Sequence, residues 1–165
     1  MSHYLETVFP RLNDGRWSVT SPQDEDYNCI AWAAEDNSHV WWPNERVYWP
    51  NPSRINTVEC FLEAFATLGY VQCSNGKFEI GYQKVALYTD VFRSPKHMAR
   101  QTLFGQWLSK LGPCEDIMHC KLSQLNGTGP IPNGIYGAAS AYMKRSWWKA
   151  YRIRRERKKL ELISL

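Results

Sequence analysis

Apolar positions along this chain change their period several times, and each change marks an element. Val58, Phe61, Leu62, Phe65 and Leu68 recur at i, i+3, i+4, i+7 and i+10, the stripe of a helix that buries one face. Asn56 or Thr57 supplies a capping side chain at its start, and Gly69 ends it. Upstream, Asn28 precedes Cys-Ile-Ala-Trp-Ala-Ala-Glu-Asp. Asparagine is a favoured N-cap, so this run predicts a short helix near 29–35 with Cys29 in its first turn. Downstream, strands are expected over 83–89, 97–103 and 106–111, with Phe104 and Gly105 turning between the last two. A further strand is expected near 134–143. The first 28 residues are broken by turn formers and read as an irregular lead-in. Residues 37–55 hold Trp41, Trp42, Pro43, Tyr48, Trp49, Pro50 and Pro52, whose prolines exclude a long helix or central strand. Two helices followed by an antiparallel meander predict an α+β domain.

Composition narrows the class. The chain has 165 residues, 44% hydrophobic and 22% charged, which suits one soluble domain. We expect that domain over 1–145 and a basic extension over 146–165. The net charge of +4 hides an asymmetry. Residues 1–143 carry 11 Lys/Arg against 14 Asp/Glu, a net of −3, whereas residues 144–165 carry 9 against 2, a net of +7. No apolar run reaches the roughly 18 residues of a spanning helix. The first residues lack a basic and then apolar leader pattern, and the cysteine count of five is odd. Both features predict reduced thiols and a cytoplasmic location, with secretion as an effector left open.

Chemistry concentrates on few side chains. A cysteine in the first turn of a helix faces unpaired N–H groups and the positive end of the helix dipole, which favour the nucleophilic thiolate. The alternative for Cys29 is an inert thiol packed among alanines and Trp32. A thiol nucleophile needs a base, and there are four histidines. His3 lies at the terminus, His39 in the aromatic loop, His97 at the start of an expected strand, and His119 in Glu-Asp-Ile-Met-His-Cys. A helix-borne cysteine facing a strand-borne histidine favours His97. Cys114, His119 and Cys120 lack the paired spacing and fourth ligand of a structural zinc site. No phosphate-loop, dinucleotide or zincin motif occurs, so no metal or organic cofactor is expected.

Several motifs stand in a fixed order: Tyr27-Asn-Cys-Ile-Ala-Trp-Ala-Ala34, Trp41-Trp-Pro43, Tyr48-Trp-Pro50, Lys84-Val-Ala-Leu-Tyr88, His97-Met-Ala-Arg-Gln101, Trp107-Leu-Ser-Lys-Leu-Gly112, Asp116-Ile-Met-His119 and Tyr142-Met-Lys-Arg145. Together they resemble a mostly bacterial domain family reading YNCIAWAAGD, KVALYAD, HAARQ, WTSKLG and DIEH. That family looks like a papain-like cysteine hydrolase, closest in layout to cell-wall amidases of the NlpC type. The resemblance implies a nucleophile helix packed on a small antiparallel β-sheet, Cys29 as nucleophile and His97 as base. It also implies a third polar group that orients the histidine, for which His119 and Asp116 are the candidates, with Ser109 behind them. Gln23, six residues before Cys29, matches the interval of an oxyanion-hole glutamine, and the Cys29 N–H is the other donor. Two features depart from the pattern: Lys84 occupies the place where NlpC-type enzymes carry histidine, and Trp32 stands three residues after the cysteine rather than next to it.

The expected function is therefore a cysteine hydrolase or acyltransferase (peptidase, amidase or deamidase) acting on a peptide or amide substrate. The alternative is a non-catalytic binding module. Its contact would be the tail from Lys144, where cations alternate with Trp147, Trp148 and Tyr151. Such a tail suits nucleic acid or another anionic surface. It also suits a solvated basic helix whose rings pack back on the domain.

Overall fold

The computed structural model describes residues 4–127 and 136–163. Asn28 caps helix α2 (Cys29–Ala33), its Oδ1 accepting the Ala31 N–H at 3.1 Å. Thr57 caps α3 (Val58–Ala66) by accepting the Cys60 N–H at 3.3 Å. The apolar stripe of α3 is buried as its period predicts, and each large side chain such as Phe61 or Phe65 contributes roughly 1.5–3 kcal/mol by leaving water. The chain opens with α1 (Tyr4–Val8) and a 3-10 turn at Pro10–Asp14.

Seven antiparallel strands form one sheet: β1 (Trp17–Ser21), β2 (Val71–Cys73), β3 (Tyr82–Thr89), β4 (Pro95–Gln101), β5 (Trp107–Lys110), β6 (Asp116–His119) and β7 (Ala138–Ser146). Their spatial order is β1-β6-β5-β4-β3-β7-β2. The meander β3-β4-β5 lies where the sequence predicts it. β7 continues the strand expected near 134–143, of which residues 134 and 135 lie outside the described residues. It enters at Gly137, whose φ is +74°, and a Cβ there would sit 1.8 Å from the Thr89 carbonyl oxygen. Only glycine lets β7 approach β3 so closely. Without a break, β7 passes into α4 (Trp147–Ile163).

The expected papain-like arrangement is overturned. A nucleophile helix on a small sheet would need helix to dominate one side, but α1 and α2 have five residues each and α3 nine. The sheet instead gains β1 from the expected irregular lead-in, and β2 and β6 from segments where no element was expected. Both of its faces are covered, because residues alternate sides along a strand. Val85, Leu87, Met98 and Met143 pack with α2, α3 and the aromatic loop. Ala86, Tyr88, Ala99, Trp107 and Ile117 pack with Leu5, Phe9, Leu12 and Leu125 on the other side. The aromatic loop is a packed cluster: Trp49 meets Phe61 edge-on at 4.9 Å and Trp41 meets Phe65 at 6.3 Å.

Candidate functional site

Cys29 does occupy the first turn of α2, and only 7% of its surface is exposed. It packs in the same core as Met98 of β4. Burial pushes its thiol up to about 11, against the backbone N–H groups of Met98 and Ile30 and the Lys110 charge, which pull the other way. Desolvation thus outweighs the helix terminus, and the sulfur is a protonated thiol at neutral pH. Iodoacetamide at pH 8 should label exposed Cys120 on the order of a hundredfold faster than Cys29. Peptide mapping of the labelled cysteines checks this, and preferential labelling of Cys29 would revive it as a nucleophile.

His97 directly precedes Met98 on β4 and therefore faces the opposite side of the sheet. Its ring stacks on Tyr136 at 4.0 Å and meets Tyr88 edge-on at 5.2 Å. Neither ring nitrogen has a hydrogen-bond partner among the described residues. Burial, and secondarily the neighbouring His119, holds its pKa well below the ordinary histidine value. No hydrogen bond joins Cys29 to His97, although the Cys29 thiol meets the backbone of Met98, the next residue along β4.

His119 shares the face of His97. Its Nδ1–H donates to the Lys121 carbonyl at 2.9 Å, so Nε2 is left to accept the Ser109 hydroxyl, also at 2.9 Å. Burial lowers it to about 4, and it is neutral at pH 7. Asp116 lies on the Cys29 side, where Tyr27 donates to it at 2.8 Å, Ser21 also donates, and the Lys110 ammonium stands 3.6 Å away. Ser109, Lys110, Asp116 and His119 are all within 1% of full enclosure. Gln23 is exposed and donates to the Tyr4 hydroxyl at 3.4 Å. His39, exposed, pairs with Asp36 at 3.1 Å, and His3 lies outside the described residues.

The charge-bearing feature that the sequence reading passed over is Glu35. It follows α2 in the left-handed region, φ +60°. Its carboxylate accepts from Gln83 at 2.9 Å, Arg145 at 2.8 Å and Arg154 at 2.7 and 2.6 Å, with Arg100 at 3.5 Å. Burial by itself would raise its pKa. Arg154, Gln83, Arg100 and Arg145 overcome that and hold it at about 2. Arg157 adds donations to the Ala34 and Glu35 carbonyls at 3.2 and 3.3 Å.

Through these bonds α4 is anchored by one side. Ala150 is fully buried, while Arg154 and Arg157 reach the Glu35 corner. The other side is open. Trp148 and Tyr151 are 70% and 52% exposed and stack on each other at 5.9 Å with 27° between their planes. Arg152, Arg155, Glu156 and Lys159 line a groove with them. Cations spaced three and four apart on one helix face, continuous with exposed rings, can meet phosphates and bases at once. No helix among the described residues is long and apolar enough to cross a membrane.

No curated protein and no solved structure matches the chain. A family model does match, over residues 18–144, which include Glu35 and five whole strands together with most of β1 and β7. The chain belongs to the family described as a domain of unknown function (DUF7689).

Proposed function

We propose that the protein is a nucleic-acid-binding module whose contact surface is the outer side of α4. The observation that carries this reading is the exposed Trp148–Tyr151 stack, continuous with Arg152, Arg155 and Lys159. Two large rings left in water cost solvation that burial would have recovered, so their exposure points to a partner. The cations beside them select a polyanion. Catalysis at Cys29 draws less support, because its thiol is buried and protonated and no hydrogen bond links it to His97.

The test is anisotropy of a labelled oligonucleotide with the triple variant Arg152→Glu, Arg155→Glu, Lys159→Glu. None of these three anchors α4, so the fold should persist, as far-UV circular dichroism can verify. At low salt binding should weaken by about a hundredfold, and the slope of log affinity against log salt should shrink by about 2. Unchanged binding by the triple variant, or affinity of the wild-type chain only for anionic lipid vesicles, would defeat the reading.

A further inference from the structure

We infer that the ligand is single-stranded, with a base stacked on the Trp148–Tyr151 pair and the backbone running along Arg155 and Lys159; this rests on the nucleic-acid reading above. A ring can stack only on a base whose face is free, and in a duplex each face is covered by the neighbouring pair. The Trp148 ring is 70% exposed and lies at one end of the cationic stripe, not within it. A strand that starts on the rings therefore meets the cations in sequence. From Trp148 to Lys159 the helix rises about 16 Å, room for about five nucleotides of a stacked strand.

The docking of α4 argues the same way. A helix that enters a duplex groove presents most of its circumference to the groove walls. Here Ala150, Arg154 and Arg157 hold one side of the helix against the body of the protein, so along the span from Trp148 to Arg155 the free surface is the outer side. A single strand needs no more than a stripe. Glu156 lies within the groove and pairs with Arg152 at 4.0 Å. Its carboxylate repels phosphate and partly offsets the charge of Arg152, so the backbone runs closest to Arg155 and Lys159.

The experiment compares a deoxythymidylate twelve-mer with a twelve-base-pair duplex, at one low salt concentration, for four chains: wild type, Trp148→Ala, Trp148→Phe and Glu156→Gln. Wild type should prefer the single strand and its tryptophan emission should be quenched by it. Trp148→Ala should weaken the single strand about tenfold and the duplex less than twofold, with the salt slope unchanged. Trp148→Phe should recover part of that affinity, and Glu156→Gln should tighten both ligands. Because Trp148 is exposed, the alanine variant keeps its fold. Equal binding of both ligands with no effect of Trp148→Ala would overturn the stacking inference and leave the nucleic-acid reading standing. Binding of neither ligand would remove both.

Discussion

Replacing Glu35 with alanine should lower the stability of the protein by about 3–5 kcal/mol, the cost of leaving buried charges without a counterion. The partners left behind decide the size of the effect. Arg145 is almost fully enclosed and Arg100 nearly so, its guanidinium lying 4.6 Å from the centre of the Trp32 ring. Neither can reach water without opening the sheet or displacing α2. Arg154, 42% exposed, can turn outward, so Arg154→Ala should cost only about 1 kcal/mol. Urea unfolding of both variants gives the comparison. A loss below about 1 kcal/mol for Glu35→Ala would mean that the cluster does not hold the corner. The same variant should also loosen α4, since Arg154 loses the carboxylate it holds while Arg157 keeps only its backbone acceptors, and amide exchange along 150–157 should accelerate.

That corner illustrates what could be read from residues alone. The helix α3 was legible because five apolar side chains share one period, and α2 because a capping asparagine precedes an alanine-rich run. The meander β3-β4-β5 followed from its turn residues. β1, β2 and β6 were not legible: Trp-Ser-Val-Thr-Ser, Val-Gln-Cys and Asp-Ile-Met-His are too short and too polar to show a period, and they are strands because neighbours pair with them. The sheet they complete is what the papain-like expectation lacked.

The face of His97 was hidden for a different reason. Strand parity can be counted, but which parity faces α2 depends on how the helix docks. A register shift also falls just before His97, where Tyr88 opposes His97 and Thr89 opposes Pro95, so Lys96 is left over. Cys29 lies in the first turn as expected, and of the two environments weighed for it the enclosed one is found. Position near a helix terminus favours thiolate, while enclosure by the α2 core disfavours it more strongly. In α4 the division of labour is periodic: Ala150, Arg154 and Arg157 lie on one side, and Trp148, Arg152, Arg155 and Lys159 on the other. A basic tail read only as a net charge conceals that split.

Between pH 6.5 and pH 4 the folded state should lose about 3 kcal/mol through His119 alone, with His97 adding to the loss. Both histidines are buried and neutral, and their pKa values lie below the unfolded value of about 6.5. In that window the unfolded chain binds protons that the folded chain refuses. Stability therefore falls as pH drops from about 6.5, and for His119 the loss is complete near 4. His97 is the cleaner probe because its nitrogens hold no hydrogen bond among the described residues. His97→Phe keeps the ring contacts with Tyr136 and Tyr88 and removes the proton site. Urea midpoints at pH 7, 5.5 and 4.5 should fall steadily for wild type and more shallowly for His97→Phe. A flat wild-type profile over that range would show that the two rings protonate without penalty. The Glu35 contribution belongs to a lower window, present above about 4.5 and lost as pH falls through about 2, so it does not confuse the slope.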